Sequence, residues 1–287
     1  MRLWVFQILN GLTMGSLLFF VAAGLSVVFG LMRILNLSHG AIFLFGGFVG
    51  LAVQKATGSF WLAIPAAMLA AGILGFVIQK VFSTTLMGSR FNQVLLTLGL
   101  AFIFNNSILA IWGGAPQTIP APEILATSVK VLGVTYPAYR LFLIVLAFVS
   151  GTGLWLFWER SRLGAIVRAC VDDRDMATAM GIRVEVVFAT VFTLGAAIAG
   201  MAGVLGAPVL GVSIGLDFDV LLLALVVMVV GGVGSLSGAF VASLMVGLVD
   251  TFGKALFPEL SYFTLFSPVI IILIVRPLGL FGRIPPE

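Results

Sequence analysis

Long apolar windows without a single Asp, Glu, Lys or Arg follow one another along the chain. Each is close to the length of about 20 residues that a helix needs to cross a bilayer. The pattern therefore predicts an all-α, polytopic membrane protein with about eight transmembrane helices. The windows are Leu3–Met32, Ile34–Gln54, Ala56–Gln79, Phe91–Pro122, Leu141–Trp158, Val186–Leu216, Val220–Val249 and Leu260–Val275.

Two windows are expected to contain broken or re-entrant segments. Val220–Val249 carries "GGVGSLSGA" in its middle, so it predicts either two short spans or one broken span. Leu3–Met32 is long enough to tilt or to include a bend. We treat residues 1–287 as a single transmembrane domain with a polar loop at 159–185.

Composition supports a membrane location, because 61% of the residues are hydrophobic and only 9% are charged. Soluble domains carry about 25% charged residues. A formal charge of +4 is too small to indicate nucleic-acid binding, so we interpret it as an orientation signal. One cysteine, Cys170, excludes a disulfide within the chain.

Lys and Arg in short loops predict the orientation in the membrane. The polar loop carries the densest basic cluster, Arg160, Arg162, Arg168, Arg174 and Arg183, which places it in the cytoplasm. Counting spans outward puts Lys80–Arg90 and the tail with Arg276 and Arg283 on the same side, and residues 113–139 outside. The N-terminus stays open: two spans before Gln54 put it outside, and an extra half-span in Leu3–Met32 puts it inside.

The sequence gives little support for a catalytic function. The chain has one histidine, His39, and no phosphate-binding G-x-x-x-x-G-K-[ST] motif, so we predict no catalytic, metal or cofactor site. Asp217, Asp219 and Asp250 lie at window edges, where we expect water to reach them. Because ion-coupled transporters place charges inside the membrane, this chain suits a neutral or zwitterionic solute.

A first polar interruption occurs in "RILNLSHGAIFLFGG", residues 33–47. In hydrocarbon a broken helix persists only where it is buried in protein or lines a wet cavity, and such breaks mark transport paths. We therefore assign Asn36, Ser38, His39 and Gly40 to a translocation path or hinge; the alternative is a polar turn at the membrane surface. Ser38 is expected to cap a helix that starts near Gly40, and His39 is expected to cap or pack.

A second interruption, "GGVGSLSGAFVASLMVG" at residues 231–247, repeats this logic. Gly231, Gly232, Gly234 and Ser235 form a glycine-rich break before another apolar run. The similarity suggests an internal duplication with a second hinge or path segment. Ordinary packing of small residues explains it equally well. Asn105 and Asn106 interrupt another window and are expected to form hydrogen bonds between helices.

The most polar stretch is "RACVDDRDMATAMGI", residues 168–182, which we call the island. Asp172 or Asp173 is a suitable N-cap, and Asp175 follows Asp172 at a capping-box spacing. Gly181 is a natural stop. The sequence thus predicts a helix of about two turns.

Met176, Ala177 and Met180 are expected to share one face of that helix. Two turns are marginal in water on their own, so the helix needs neighbours within the chain or a partner. We interpret the island as a docking element with an adaptable methionine surface. A solvated loop helix is the alternative.

Five segments also resemble one family in the right order: "NGLTMGSLLFFVAAGLSVVFGLMRILNLSHGAIFLFGG", "TLGLAFIFNN", "RACVDDRDMATAMGIRV", "GAAIAGMAGVLGAP" and "VVGGVGSLSGAFVASLMVGLVD". They are similar to LivH-type permeases, the membrane subunits of ABC importers for branched-chain amino acids. The resemblance covers most of the chain, and residues 113–140 contribute least to it.

The resemblance implies a multi-pass protein of the bacterial inner membrane and several partners. These are a LivM-type permease, two ATPases that bind the ATP, and a periplasmic binding protein that delivers substrate. It implies that the island is the helix that couples to an ATPase. The coupling candidates are Arg168, Asp172, Asp173, Asp175, Met176, Met180 and Gly181.

The substrate expected from the resemblance is Leu, Ile or Val, although similar permeases carry urea, short amides or aromatic acids. A stand-alone secondary transporter would need a charge relay inside the membrane, and the windows show none. A membrane-embedded enzyme would need clustered catalytic acids or histidines. Only the island clusters acids, and they suit helix caps.

Overall fold

A computed structural model describes residues 2–32, 36–85 and 90–282, and within them the chain is almost entirely helical. Arg283 and part of the Lys80–Arg90 stretch lie outside the described residues. The helices are α1 Arg2–Met32, α2 His39–Thr57, α3 Phe60–Thr85, α4 Arg90–Trp112, α5 Ala138–Arg160, α6 Arg162–Asp172, α7 Arg174–Ala179, α8 Val184–Leu210, α9 Leu216–Gly231, α10 Leu236–Leu256 and α11 Ser261–Val275. Two strands, β1 Ser128–Val131 and β2 Val134–Pro137, and two 3₁₀ turns, Glu123–Leu125 and Pro258–Leu260, complete the fold.

The predicted all-α, polytopic architecture is confirmed. In the described residues seven helices are long and apolar enough to cross a membrane: α1, α2, α3, α4, α5, α8 and α10. The window Val220–Val249 is broken between α9 and α10, and α9 and α11 have only 16 and 15 residues. The window Leu3–Met32 lies within one continuous helix, α1, of 31 residues, and contains no separate half-span.

Helix α1 lies at the centre of the bundle. Its middle, from Leu17 to Leu25, is buried, and α1 contacts α5, α8, α9 and α10. Glycines bring the helices close: a Cβ on Gly15 would lie 2.7 Å from Ser243 O in α10, and one on Gly24 would lie 2.6 Å from Gly195 O in α8. Membrane helices associate through such small residues, because lipid supplies no hydrophobic drive between them.

A short antiparallel hairpin marks one end of the bundle. Its two-residue turn has Leu132 at φ 48° and Gly133 at φ 80°, the backbone of a tight hairpin turn. Tyr136 is fully buried, and its hydroxyl donates to Asn10 Oδ1 at 3.0 Å. Arg140 also donates to Asn10 Oδ1, at 2.7 Å. The start of α1 therefore lies beside the hairpin.

The two ends of the bundle are named by their loops: the hairpin end bears residues 113–137, and the polar-loop end bears residues 159–185. Helix α5 connects them, and its 23 residues span about 35 Å. The N-terminal part of α1 thus lies opposite the polar loop. This answers the question that the sequence left open: if the polar loop is cytoplasmic, residues 2–10 are outside.

Candidate functional site

The polar loop folds into two short helices, of which only α7 was expected. Ser161 Oγ accepts a hydrogen bond from Gly164 N at 3.0 Å and so caps α6. Gly164 packs directly on the carbonyl of Trp158, where any side chain would overlap the oxygen. The cap and this close approach turn α6 back against the end of α5.

Arg168 fastens α6 to the C-terminus of α5. Its guanidinium donates to Trp158 O at 2.6 Å and to Glu159 O at 3.3 Å, and it lies 3.8 Å from the Glu159 carboxylate. A cation is favourable at a helix C-terminus, where carbonyls lack partners within the helix. The hydrogen bonds described for the Arg168 guanidinium therefore go to the end of α5 in its own chain.

Asp173 is the N-cap of α7, because its carboxylate accepts from Met176 N at 2.9 Å. Asp172 is instead the last residue of α6. The capping-box spacing predicted for Asp172 and Asp175 is therefore wrong: the third position after the true cap is Met176, and Asp175 lies in the first turn. An acidic residue there still interacts favourably with the helix dipole.

Gly181 ends α7, as predicted. Its φ is 82°, a conformation that glycine adopts without strain. Gly181 N donates to Thr178 O at 2.9 Å, and Ile182 N donates to Ala177 O at 3.1 Å. This pair of bonds is the Schellman motif, which satisfies the last carbonyls of a helix.

The predicted common face of Met176, Ala177 and Met180 is wrong for Ala177. Ala177 is 4% exposed and packs inward, whereas Met176 and Met180 are 59% and 76% exposed. Residues 176 and 180 are four apart, so they are neighbours on the helix surface. The outward face of α7 is therefore a methionine pair, which we call the Met176/Met180 surface.

A small apolar cluster between the polar loop and α8 holds α7 in place. Its buried members come from α6, α7 and α8: Val167, Cys170, Ala177, Val184 and Val191. Arg174 adds a cation–π contact, with its guanidinium carbon 5.3 Å from the Phe188 ring centroid. Burial raises the pKa of the Cys170 thiol, and the charge of Arg174 opposes that shift only in part. Cys170 is therefore a protonated packing residue at neutral pH.

The first break, Asn36–Gly40, is buried and not a surface turn. Asn36 Oδ1 accepts from Ser38 N at 3.0 Å and from Ser38 Oγ at 2.6 Å. The predicted cap is wrong, because the Ser38 hydroxyl is used on Asn36 and α2 begins at His39 without a side-chain cap. His39 packs, as expected: its Nε2 lies 3.2 Å from Val21 O, in the middle of α1.

Gly40 brings α2 onto the start of α9. A Cβ on Gly40 would overlap Asp217 O and would lie 2.9 Å from Leu221 Cβ. Gly40 is therefore required for close helix contact. The first turns of α2 and α9 meet inside the bundle.

The second break lies at the other end of α9. Gly232 and Gly234 have φ of 98° and 78°, and a Cβ on Gly234 would lie 2.9 Å from Gly30 Cα in α1. Ser235 Oγ caps α10 by accepting from Gly238 N at 3.0 Å. Gly231 O accepts from Phe281 N at 3.0 Å, so the segment after α11 covers this break.

The two breaks do not converge on one site. Gly40 contacts the first turn of α9, and Gly231 is its last residue, about 22 Å away along the helix. Each break supports a separate contact between α9 and its neighbours.

Sequence reasoning missed a buried polar pair at the start of α9. Asn105 Nδ2 donates to Asp217 Oδ2 at 2.7 Å, which joins α4 to α9. The predicted interhelical role of Asn105 is confirmed, whereas Asn106 donates within α4, to Phe102 O. The expectation that water reaches Asp217 and Asp250 is wrong, since they are 2% and 6% exposed. Asp250 pairs with Lys254 at 2.7 Å within α10.

The Asp217 error has a physical source. After α8 the chain turns back into the bundle: Val212 pairs with Gln117 near the hairpin end, and Asp217 then lies against Gly40. A charge at the edge of an apolar window therefore need not lie at the membrane surface. In the sequence, the available sign of this turn was Gly215, just before Asp217.

The fold defines a multi-pass membrane protein, with a central helix, seven long apolar helices among the described residues and a folded polar loop at one end. Residues 7–275 match the family described as "Branched-chain amino acid transport system / permease component". The chain belongs to this family and is the permease component of a transport system.

Relatives of known name cover nearly the full length. The "High-affinity branched-chain amino acid transport system permease protein BraD" of Pseudomonas aeruginosa is 28% identical, over 96% of this chain and 95% of the relative. LivH of Escherichia coli K12 is also 28% identical, with the same coverage. A second permease protein, LivM of Salmonella typhimurium, is 26% identical over 99% of this chain and 73% of its own length.

Proposed function

We propose that the chain is one of two permease subunits in an ATP-driven importer for Leu, Ile and Val in the bacterial inner membrane. The observation that carries the proposal is the family match across residues 7–275, with relatives that bear the branched-chain amino acid permease name. The similarity to both LivH and LivM supports a partner of the same family, in a pair of related but different chains.

The polar loop is the ATPase attachment site in this proposal. Its Met176/Met180 surface is apolar, adaptable and exposed, and the exposed acidic residues Asp172, Asp173 and Asp175 flank it. Such charges set register and specificity at an interface. Arg168 and Gly181 serve indirectly, because they fix α6 and end α7.

Helices α6 and α7 form one unit with the ends of α5 and α8. A displacement of α7 would therefore be transmitted to these two long helices. ATP-driven closure of the partner ATPases would shift α7. This shift would move α8 through the apolar cluster around Ala177, and α5 through Arg168. In this proposal the partners bind the ATP, and we expect no cofactor site in this chain. A binding protein would deliver substrate at the hairpin end.

The breaks at Asn36–Gly40 and at Gly231, Gly232, Gly234 and Ser235 are the proposed hinges or path segments. Both flank α9, so a shift of α9 would change the contacts of both. A permease for urea, short amides or aromatic acids is the second candidate within this class.

Transport by the reconstituted complex tests the proposal. The chain would be co-expressed with ATPases, a second permease and a binding protein from the same genome, purified and placed in liposomes with ATP inside or outside. Uptake of labelled leucine that requires ATP and competes with isoleucine and valine supports the assignment. ATP-driven uptake of urea, an amide or an aromatic acid in place of leucine favours the second candidate. Leucine transport without any ATPase contradicts both.

A further inference from the structure

The Asn105–Asp217 pair has unused hydrogen-bonding capacity inside the bundle. Asp217 is 2% exposed and Asn105 is 9% exposed. Asn105 Nδ2 donates to Asp217 Oδ2, which leaves Asn105 Oδ1 and Asp217 Oδ1 buried without a partner. A carboxylate only accepts, so this bond also fixes the orientation of the Asn105 amide. Two acceptor oxygens therefore remain unsatisfied at one place.

The Asp217 carboxylate also has no cationic partner among the described residues. In the described ranges, no Lys, Arg or His nitrogen lies within 4.0 Å of the Asp217 carboxylate. His39, the one histidine of the chain, directs its Nε2 to Val21 O on α1. A buried carboxylate without a cation is costly, and the helix dipole of α9 offsets only part of that cost.

The pair lies within the membrane-spanning part of the bundle. Asn105 is seven residues before the end of α4, about 10 Å along the helix from the hairpin end. The first turn of α2 lies against Asp217 O through Gly40, and α2 has no side-chain cap. Asn36, one turn earlier, has an unpartnered donor, Nδ2, because its Oδ1 is held by Ser38. Hydrogen-bond donors thus lie at the start of α2 and just before it, and Gly40 places the start of α2 against the backbone of Asp217.

We infer that Asn105 and Asp217 bind the ammonium group of a zwitterionic amino acid as it passes through the chain, which rests on the proposed transport function. A primary ammonium has three donors and one positive charge, which suits two free acceptors and one carboxylate. The uncapped first turn of α2 and Asn36 Nδ2 offer donors for the substrate carboxylate. This assigns a substrate contact to residues at the meeting point of α2, α4 and α9.

The inference is tested by comparing the affinity for leucine with the affinity for the same molecule without its amino group. The probes are tritiated L-leucine and 4-methylpentanoate, measured on the purified complete transporter without its binding protein. The wild type should prefer leucine by about tenfold or more, because a charge-assisted contact is lost in the analogue. Asp217→Asn should bind the two ligands with nearly equal affinity.

Asp219→Asn is the matched control, because Asp219 lies in the same first turn but is exposed. It should keep the wild-type preference. The exchange Asn105→Asp with Asp217→Asn restores one carboxylate and one amide at the pair, and should recover the preference for leucine. This double variant also decides the matter if Asp217→Asn alone does not fold.

Distinct results separate this inference from the proposed function. A wild-type complex that binds leucine, together with an Asp217→Asn variant that keeps the preference, overturns the ammonium site alone. Equal losses for both ligands in Asp217→Asn, or loss of the second permease from the complex, also overturn it, since they show a structural or interface role. A wild-type complex that assembles but neither binds nor transports leucine contradicts the proposed function itself.

Discussion

Two adjacent aspartates in the polar loop have opposite relations to their helices. Asp173 caps the start of α7, and Asp172 occupies the last position of α6, where a negative charge is unfavourable. The sequence could indicate that one of them caps a helix, but it could not choose, because the boundary depends on α6. Helix α6 in turn depends on Gly164 packing against Trp158, a contact between α5 and α6 that spacing does not report.

Replacing each aspartate by alanine separates the two roles. Asp173→Ala removes the cap on Met176 N and should destabilise α7 by about 1 kcal/mol. Asp172→Ala should have little effect or a slight stabilising one. Hydrogen exchange of residues 174–181 in the purified protein measures both, with faster exchange expected for Asp173→Ala only. Equal exchange in the two variants would contradict the cap assignment.

At the scale of the helices, glycines determine how closely the elements approach. Gly46 lies against Gly200, and Gly203 lies against Phe43 O and Gly47 N, so α2 and α8 touch backbone to backbone. The sequence predicted small-residue packing as a type of contact. It could not predict which glycines meet, because the partners are about 150 residues apart and nothing in a single sequence pairs them.

Gly203→Ala and Gly99→Ala make the same chemical change at opposite kinds of position. A Cβ on Gly203 would overlap Phe43 O, so the variant should lose about 1–3 kcal/mol through overpacking. Gly99 in α4 is exposed with nothing within 4 Å, and alanine there should be neutral or stabilising by about 0.5–1 kcal/mol. Thermal unfolding in one detergent compares them. A Gly203→Ala variant with a wild-type midpoint would contradict the contact between α2 and α8.

At the scale of the whole molecule, hydrophobic windows predicted the class of fold and most spans. They missed the hairpin and the return of the chain into the bundle after α8. Tyr136 explains the first miss: it is fully buried because its hydroxyl bonds to Asn10 and lies 3.0 Å from Thr13 Oγ1 on α1. A partner 123 residues away leaves no local signal. The choice between inner and outer N-terminus also needed contacts between distant segments.

Cysteine labelling tests the arrangement of the two ends. Arg2→Cys and Lys130→Cys should react with a membrane-impermeant maleimide on intact cells, and Ala179→Cys only after permeabilisation. The native Cys170 should give a low background, because it is 3% exposed and burial raises its pKa, which keeps the unreactive thiol form. Labelling of Arg2→Cys and Ala179→Cys from the same side would contradict the described bundle.

Docking of the ATPases on the Met176/Met180 surface connects the fold to transport. Met180→Asp would place a charge on this surface without disturbing the apolar cluster around Ala177, since Met180 is 76% exposed. Met180→Leu is the matched control, because it keeps the surface apolar.

The most direct test is purification of each variant in detergent with its partners, followed by mass spectrometry of the proteins that copurify. We expect the second permease to copurify with wild type, Met180→Leu and Met180→Asp, and the ATPases to be lost from Met180→Asp alone. ATPases retained by Met180→Asp, with coupled leucine uptake unchanged, would contradict the assignment of the polar loop as the coupling element.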